Sequence, residues 1–163
     1  MATNQLDIRA SPEEVFGVPA DAWSYADWVV GTQEIPGVDA GFPAVGTRFR
    51  HRVRAGPATV DGETEVIGAD GMCWLSPRAS ASDLGHADIR FELAPTVTGT
   101  EVTMHETPFG SDGARLGWLT ERMLRLRNAE TLWRLKRLVE ARTSEPRVEP
   151  FVGARRYLAH SRP

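Results

Sequence analysis

Four histidines, one cysteine and a limited set of carboxylates carry the conventional chemistry of this 163-residue chain, so their spacing decides which could act. His105-Glu106 begins like the HExxH zinc motif. Phe109 stands where the second histidine belongs, Pro108 intervenes, and the segment reads as a strand, so the motif fails. Cys73 is alone, which rules out an internal disulfide and a cysteine metal cluster. With the histidines scattered, neither a metal nor another cofactor is expected. Glu106 is different. Val102, Met104 and Glu106 alternate onto one strand face, beside Ile89, Phe91 and Leu93 of the preceding strand. A carboxylate among them must be paired, hydrated or neutral. It either reaches solvent or an arginine of the final helix, or it serves as a polar anchor or general acid/base in a pocket. His51 falls on the same inward side, either as a satisfied core residue or as the best proton-transfer candidate. His86 is expected in a loop and His105 on the outer face.

The elements that would position these residues follow from a change of period. From about Gln5 to Thr107 the chain alternates as short strands; from Arg115 to Arg142 it repeats as one long helix. Such a helix must bury its apolar stripe against the sheet. Gln5 to Arg9 reads as the first strand. Ser11-Pro12-Glu13-Glu14 starts a short helix, with Ser as cap, Pro in the first turn and carboxylates facing the helix dipole. Pro19 ends it, and Asp21 caps a second short helix carrying Trp23, Tyr25 and Ala26. Trp28 to Ile35 reads as the second strand, stopped by Pro36-Gly37. The aromatics Trp23, Tyr25 and Trp28 are plain core or a stacking wall for a flat apolar ligand.

A two-residue turn at Gly56-Pro57 fixes a hairpin register. It sets Arg52 opposite Asp61, Arg50 opposite Glu63 and Arg48 opposite Glu65. Val53, His51, Phe49 and Thr47 then share the other face. A one-residue slip would send every charge inward, so the arginine row is expected on a solvated outer face. Met72 to Ala79 reads as a fifth strand, interrupted or ended by Pro77. The Ala87–Leu93 and Val102–Met104 segments supply the sixth and seventh, with a turn over Pro95–Gly99. In the long helix Leu116, Leu119, Met123 and Leu126 are expected on one stripe, continued by Leu124, Leu132, Leu135 and Val139. Asn128 falls on that stripe, where it could hydrogen-bond the sheet or point at a ligand. Arg122, Arg125, Arg134 and Arg137 read as a solvated face, and Trp133 as cover for the helix edge.

Composition sets the outer limits. Hydrophobic residues make up 41% and charged residues 25%, as in ordinary globular chains. The net charge of −3 gives no electrostatic case for nucleic acid or an anionic membrane. No apolar run approaches the roughly 20 residues that span a bilayer. No signal peptide is visible, so the expected location is the cytoplasm. The expected oligomeric state is a monomer or a homodimer.

Several stretches carry a family likeness: Ser11-Pro12-Glu13-Glu14-Val15-Phe16, Trp23-Ser24-Tyr25-Ala26-Asp27-Trp28, Val45-Gly46-Thr47-Arg48-Phe49, and Gly99-Thr100-Glu101-Val102-Thr103-Met104-His105-Glu106. Through them, over about residues 3–142, the chain resembles the START / Bet v 1-like superfamily. More narrowly it resembles the bacterial SRPBCC group labelled polyketide cyclase/dehydrase-like. Arg127-Asn128-Ala129-Glu130-Thr131-Leu132 resembles a run of actinobacterial members. The resemblance implies an α+β helix-grip fold: a curved seven-stranded antiparallel sheet wrapped around a long C-terminal helix, with two short helices after strand 1. It covers lipid carriers, hormone receptors, aromatase/cyclases and co-chaperone activators, so it does not choose among functions. No family catalytic motif can be placed residue by residue. The expected organisation is a helix-grip domain over 1–142 and a tail over 143–163. The expected partner is a small, largely hydrophobic molecule, held between sheet and helix by Tyr25, Trp28, Phe49, His51, Phe91, Met104, Glu106 and Asn128. Two alternatives stand beside it. One is a cofactor-free cyclase or dehydratase with His51 or Glu106 as base and Asn128 or Tyr25 orienting. The other is a protein-interaction module.

Overall fold

A computed structural model describes residues 1–81, 85–109 and 117–144. Its strands are β1 (Ala2–Ile8), β2 (Thr32–Val38), β3 (Arg48–Ala55), β4 (Ala58–Asp70), β5 (Trp74–Ala81), β6 (Gly85–Thr96) and β7 (Gly99–Phe109). They form one antiparallel sheet in the order β1-β7-β6-β5-β4-β3-β2. Between β1 and β2 lie the helix α1 (Pro12–Phe16), a 3-10 turn (Ala22–Ser24) and the helix α2 (Tyr25–Trp28). The long helix α3 (Gly117–Ser144) follows β7. This is the helix-grip fold, curved and open rather than closed into a barrel. Register shifts in β2 and at Val66/Gly68 of β4 supply local bends of the kind that curve a sheet.

Local chemistry accounts for most boundaries. Ser11 and Glu14 form a reciprocal capping box: the Glu14 amide donates to Ser11 Oγ at 3.3 Å, and the Ser11 amide donates to Glu14 Oε2 at 2.9 Å. The Asp21 carboxylate accepts from the Trp23 amide and starts the 3-10 turn. Trp28 corrects the expected second strand. It closes α2, where the Val29 amide donates to the Tyr25 carbonyl, and β2 begins only at Thr32 after Gly31 turns the chain at φ 96°. Pro36 and Gly37 lie inside β2, which is an edge strand with irregular pairing, the place where a sheet tolerates proline.

The β3–β4 register is the expected one, pair for pair: Arg48↔Glu65, Arg50↔Glu63, Arg52↔Asp61, with Phe49↔Thr64 and His51↔Gly62 between. Phe49, His51 and Thr64 are buried while Arg48, Arg50 and Arg52 are exposed. The ion pairs depart slightly from straight-across geometry. Arg48 reaches both Glu65 and, diagonally, Glu63; Arg52 holds Asp61 and also Glu34 of β2. Pro77 neither ends nor interrupts β5, which runs from Trp74 to Ala81. Pro77 is buried opposite Val66, next to the β4 bulge. His86 lies within β6, stacked on Phe109, and not in a loop.

The core gathers Ile8, Val15, Trp28, Phe49, Phe91, Leu93, Val102 and Met104 against Leu132, Leu135 and Val139 of α3. The expected single stripe of α3 is corrected: only its later part faces the sheet. Asn128, Leu132, Leu135 and Val139 are at most 1% exposed, whereas Met123 and Leu126 are 65% and 67% exposed. At about 100° per residue, Met123 and Leu126 lie across the helix from Asn128 and cannot share its face. Leu116 and the Leu119 side chain lie outside the described residues. Trp133 is half exposed beneath the Arg137 guanidinium. The helix runs to Ser144, two residues past its expected end, and the remainder of the tail lies outside the described residues.

Candidate functional site

The inner face of the sheet is uneven along its strands. At one end Leu75, Phe91, Leu93, Val102 and Met104 fill the space beneath the helices. Toward the β5–β6 connection the inward positions are Gly62, Thr64, Ala79, Ala81 and Ala87. These side chains are small, and all but Thr64 are half-buried rather than buried. A row of small side chains fills less of the concave face than the large residues at the other end do.

Three buried polar groups border that region: His51 at 6% exposure, Glu106 at 4% and Asn128 at 0%. Their placement follows from pairing. His51 lies across from Gly62, and its Nδ1 is 3.3 Å from Thr64 Oγ1. The ring covers Gly62 so closely that a methyl group there would collide with His51 Nε2 and the Ser80 carbonyl. Burial pushes the His51 imidazole below its ordinary value of 6.5, so the ring is neutral at pH 7. A neutral imidazole with one nitrogen beside a hydroxyl can accept or relay a proton.

Glu106 pairs with Ile89 of β6 and Ala2 of β1, on the inner face of β7 one strand from the sheet edge. Its partner is Arg127 of α3, whose Nη2 donates to both carboxylate oxygens at 2.6 and 2.7 Å. The helix is oriented by its flanks. Toward β1, the Arg125 carbonyl accepts from Asn4, Lys136 donates to the Asp7 carbonyl, and Glu140 accepts from the Arg9 amide. On the other side Thr131 Oγ1 accepts from the Val30 amide. Two residues beyond Arg125, and so about 200° around the helix, Arg127 leaves α3 on the flank away from β1. It then turns inward to Glu106. The guanidinium also lies 3.3–3.4 Å from Asn128 Oδ1. The Asn128 Nδ2 group is buried and has no hydrogen-bond partner among the described residues.

The other expected site residues divide into two groups. Trp28, Phe49, Phe91 and Met104 are all buried on the inner side, and Trp28 meets Phe91 edge to face at 5.7 Å. Tyr25 packs on both Trp28 and Phe49, at 4.8 and 4.6 Å between ring centroids. Its hydroxyl donates to the Pro19 carbonyl at 2.9 Å and is therefore already engaged. Burial, and then Asp21, push the Tyr25 hydroxyl far above its ordinary range, which keeps it a neutral donor. Trp23 is 61% exposed and forms none of this wall. Arg127 is the residue that sequence reasoning missed. An inward carboxylate demanded a cationic partner, and α3 carries several cations on the flanks of its buried stripe, Arg125, Arg127 and Lys136 among them. The choice among them needed the helix's orientation on the sheet.

No family model matches the sequence, and no curated protein matches it. Solved structures do. Protein CV1439 from Chromobacterium violaceum is similar at a TM-score of 0.66 and 18% identity, covering 86% of this chain and 99% of that one. Ara h 8.0201 is similar at a TM-score of 0.68 and 12% identity, covering 85% and 96%. DynU16, from the dynemicin biosynthetic locus, is similar at a TM-score of 0.63 and 18% identity. The match covers 85% of this chain but only 46% of DynU16. At these identities the likeness shows the shared helix-grip fold. Among the described residues no helix is long and apolar enough to cross a membrane.

Proposed function

We propose that this protein binds a small, largely apolar molecule in the concave space between the inner face of the sheet and α3. One observation carries the reading: three buried polar side chains, His51, Glu106 and Asn128, border an otherwise apolar surface whose hairpin end is built from glycine and alanine. Glu106 and His51 are partnered by Arg127 and Thr64, but Asn128 Nδ2 is left without a partner among the described residues, which in a plain core costs about 1–3 kcal/mol. Trp28, Phe49, Phe91 and Met104 form the apolar wall, with the Tyr25 ring beside them. The shared fold of Ara h 8.0201 and DynU16 supports the architecture of such a site.

The test is binding of a hydrophobic naphthalene-sulfonate fluorophore to the full chain. Enhanced, saturable fluorescence is expected, weakened by Met104→Trp, which fills the space, while circular dichroism stays unchanged. Absence of saturable binding to the wild type would defeat the reading.

Two other readings each have a supporting feature. The neutral, buried His51 beside Thr64 favours a cofactor-free proton-transfer enzyme of cyclase or dehydratase type using the same space. The exposed Met123, Leu126 and Trp133 on the outer side of α3 favour an interaction module.

A further inference from the structure

Asn128 is a buried amide with its two ends in different circumstances. Oδ1 faces the Arg127 guanidinium, through Nη2 at 3.3 Å and Nε at 3.4 Å. A guanidinium only donates, so the amide oxygen must be the end turned toward it; exchanging oxygen and nitrogen would set donor against donor. That fixes Nδ2 on the other side, where it is fully buried and has no partner among the described residues. Asn128 belongs to the stripe of Leu132, Leu135 and Val139 that faces the sheet, so its amide is turned inward and not to solvent. An Nδ2 group donates and cannot accept, so its complement is an acceptor.

The neighbouring charge narrows the acceptor. Asn128 Oδ1 and both Glu106 oxygens share the same Arg127 nitrogen, so the amide and the carboxylate belong to one cluster. That cluster is one carboxylate and one guanidinium and is already balanced. A ligand carboxylate would add a second anion beside Glu106 with no further cation among these residues. A neutral carbonyl oxygen accepts from Nδ2 without adding charge. We propose that Asn128 is a specificity-determining residue, donating from Nδ2 to a carbonyl oxygen at the buried end of an otherwise apolar ligand. The proposal rests on the ligand-binding reading above and goes further by naming the chemical class of the ligand's polar end.

A matched set of probes tests it: 2-acetylnaphthalene, 2-isopropylnaphthalene and 2-naphthoic acid, each measured by displacement of the naphthalene-sulfonate fluorophore. After correction for water–octanol partition, the wild type should prefer the ketone over the hydrocarbon by about five- to tenfold, the worth of one buried hydrogen bond. It should bind the carboxylate more weakly than the ketone. Asn128→Leu should abolish the ketone preference while hydrocarbon affinity holds or rises. The wild type also supplies a readout that needs no variant: the infrared carbonyl stretch of bound 2-acetylnaphthalene should fall below its frequency in hexane. Binding of ketone and hydrocarbon without discrimination, or an unshifted stretch, overturns this inference and leaves the ligand-binding reading standing. Binding of none of the three probes, nor of the fluorophore, overturns both.

Discussion

Removing the Arg127 guanidinium tests the electrostatics of the inner face most directly. Arg127→Met keeps most of the apolar stem and deletes the charge that faces Glu106. The magnitude depends on burial, and the two partners differ: the Glu106 side chain is 4% exposed and that of Arg127 is 43% exposed. Were both buried, losing one partner would cost about 3–5 kcal/mol. Were both exposed, the loss would be about 0–1 kcal/mol. With the carboxylate inside and the guanidinium half in water, solvent can partly replace the cation, and about 2 kcal/mol is expected. For a domain of this size that lowers Tm by about 4–8 °C. Glu106→Gln should cost less, because a neutral amide stays hydrogen-bonded to Arg127. The double variant decides the cause. If the penalty comes from a stranded buried carboxylate, Glu106→Gln in the Arg127→Met background should restore at least about 1 kcal/mol, a coupling expected of residues in direct contact. Chemical denaturation at pH 7 measures all four proteins. A loss below about 0.5 kcal/mol in Arg127→Met, or strictly additive losses in the double variant, would refute the claim that Glu106 is held inside by this one arginine.

Gly62→Ala should destabilise by about 1–3 kcal/mol, since the new methyl must push aside the His51 ring or the Ser80 carbonyl; unchanged stability together with an unchanged His51 NMR shift would contradict the close packing of ring on strand. His51 has a folded-state pKa below its ordinary 6.5, so the unfolded chain binds its proton first, and the stability that His51 contributes is present above about pH 6.5 and lost as the pH falls. Urea midpoints at pH 7.5 and 5.5 should therefore differ more for the wild type than for His51→Gln; equal differences would show that His51 is not held neutral. Leu135→Ala should cost about 2–5 kcal/mol and Met123→Ala less than about 0.5 kcal/mol, as the former side chain is fully buried and the latter 65% exposed; comparable losses would show that α3 packs through another face.

The sheet was legible in the sequence where two independent signals agreed, and less so where one acted alone. At β3–β4 the Gly56-Pro57 turn and three opposite-charge pairs select a single register, and a slip would bury arginines; the expected pairs are those formed. At Trp28 the expected strand rested on local pattern alone, and the short helix won because Asp21 caps the preceding turn and Val29 closes back on Tyr25. In α3 the apolar residues read as one continued stripe, yet Met123 and Leu126 lie on a different side from Leu132, Leu135 and Val139, and the sheet covers only the latter. The side that carries Leu132, Leu135 and Val139 also carries Asn128, and burying it leaves Met123 and Leu126 in solvent. That choice determines the site. Rotating the helix to bury Met123 and Leu126 would carry Asn128 to the surface and pull Arg127 away from Glu106. The polar cluster and the apolar core of α3 are therefore one decision about helix rotation, made by long-range packing that no local window contains. Glu106 was identifiable from strand alternation because a period of two fixes its face outright. Arg127 was not, because a helix flank becomes inward or outward only when the whole helix docks.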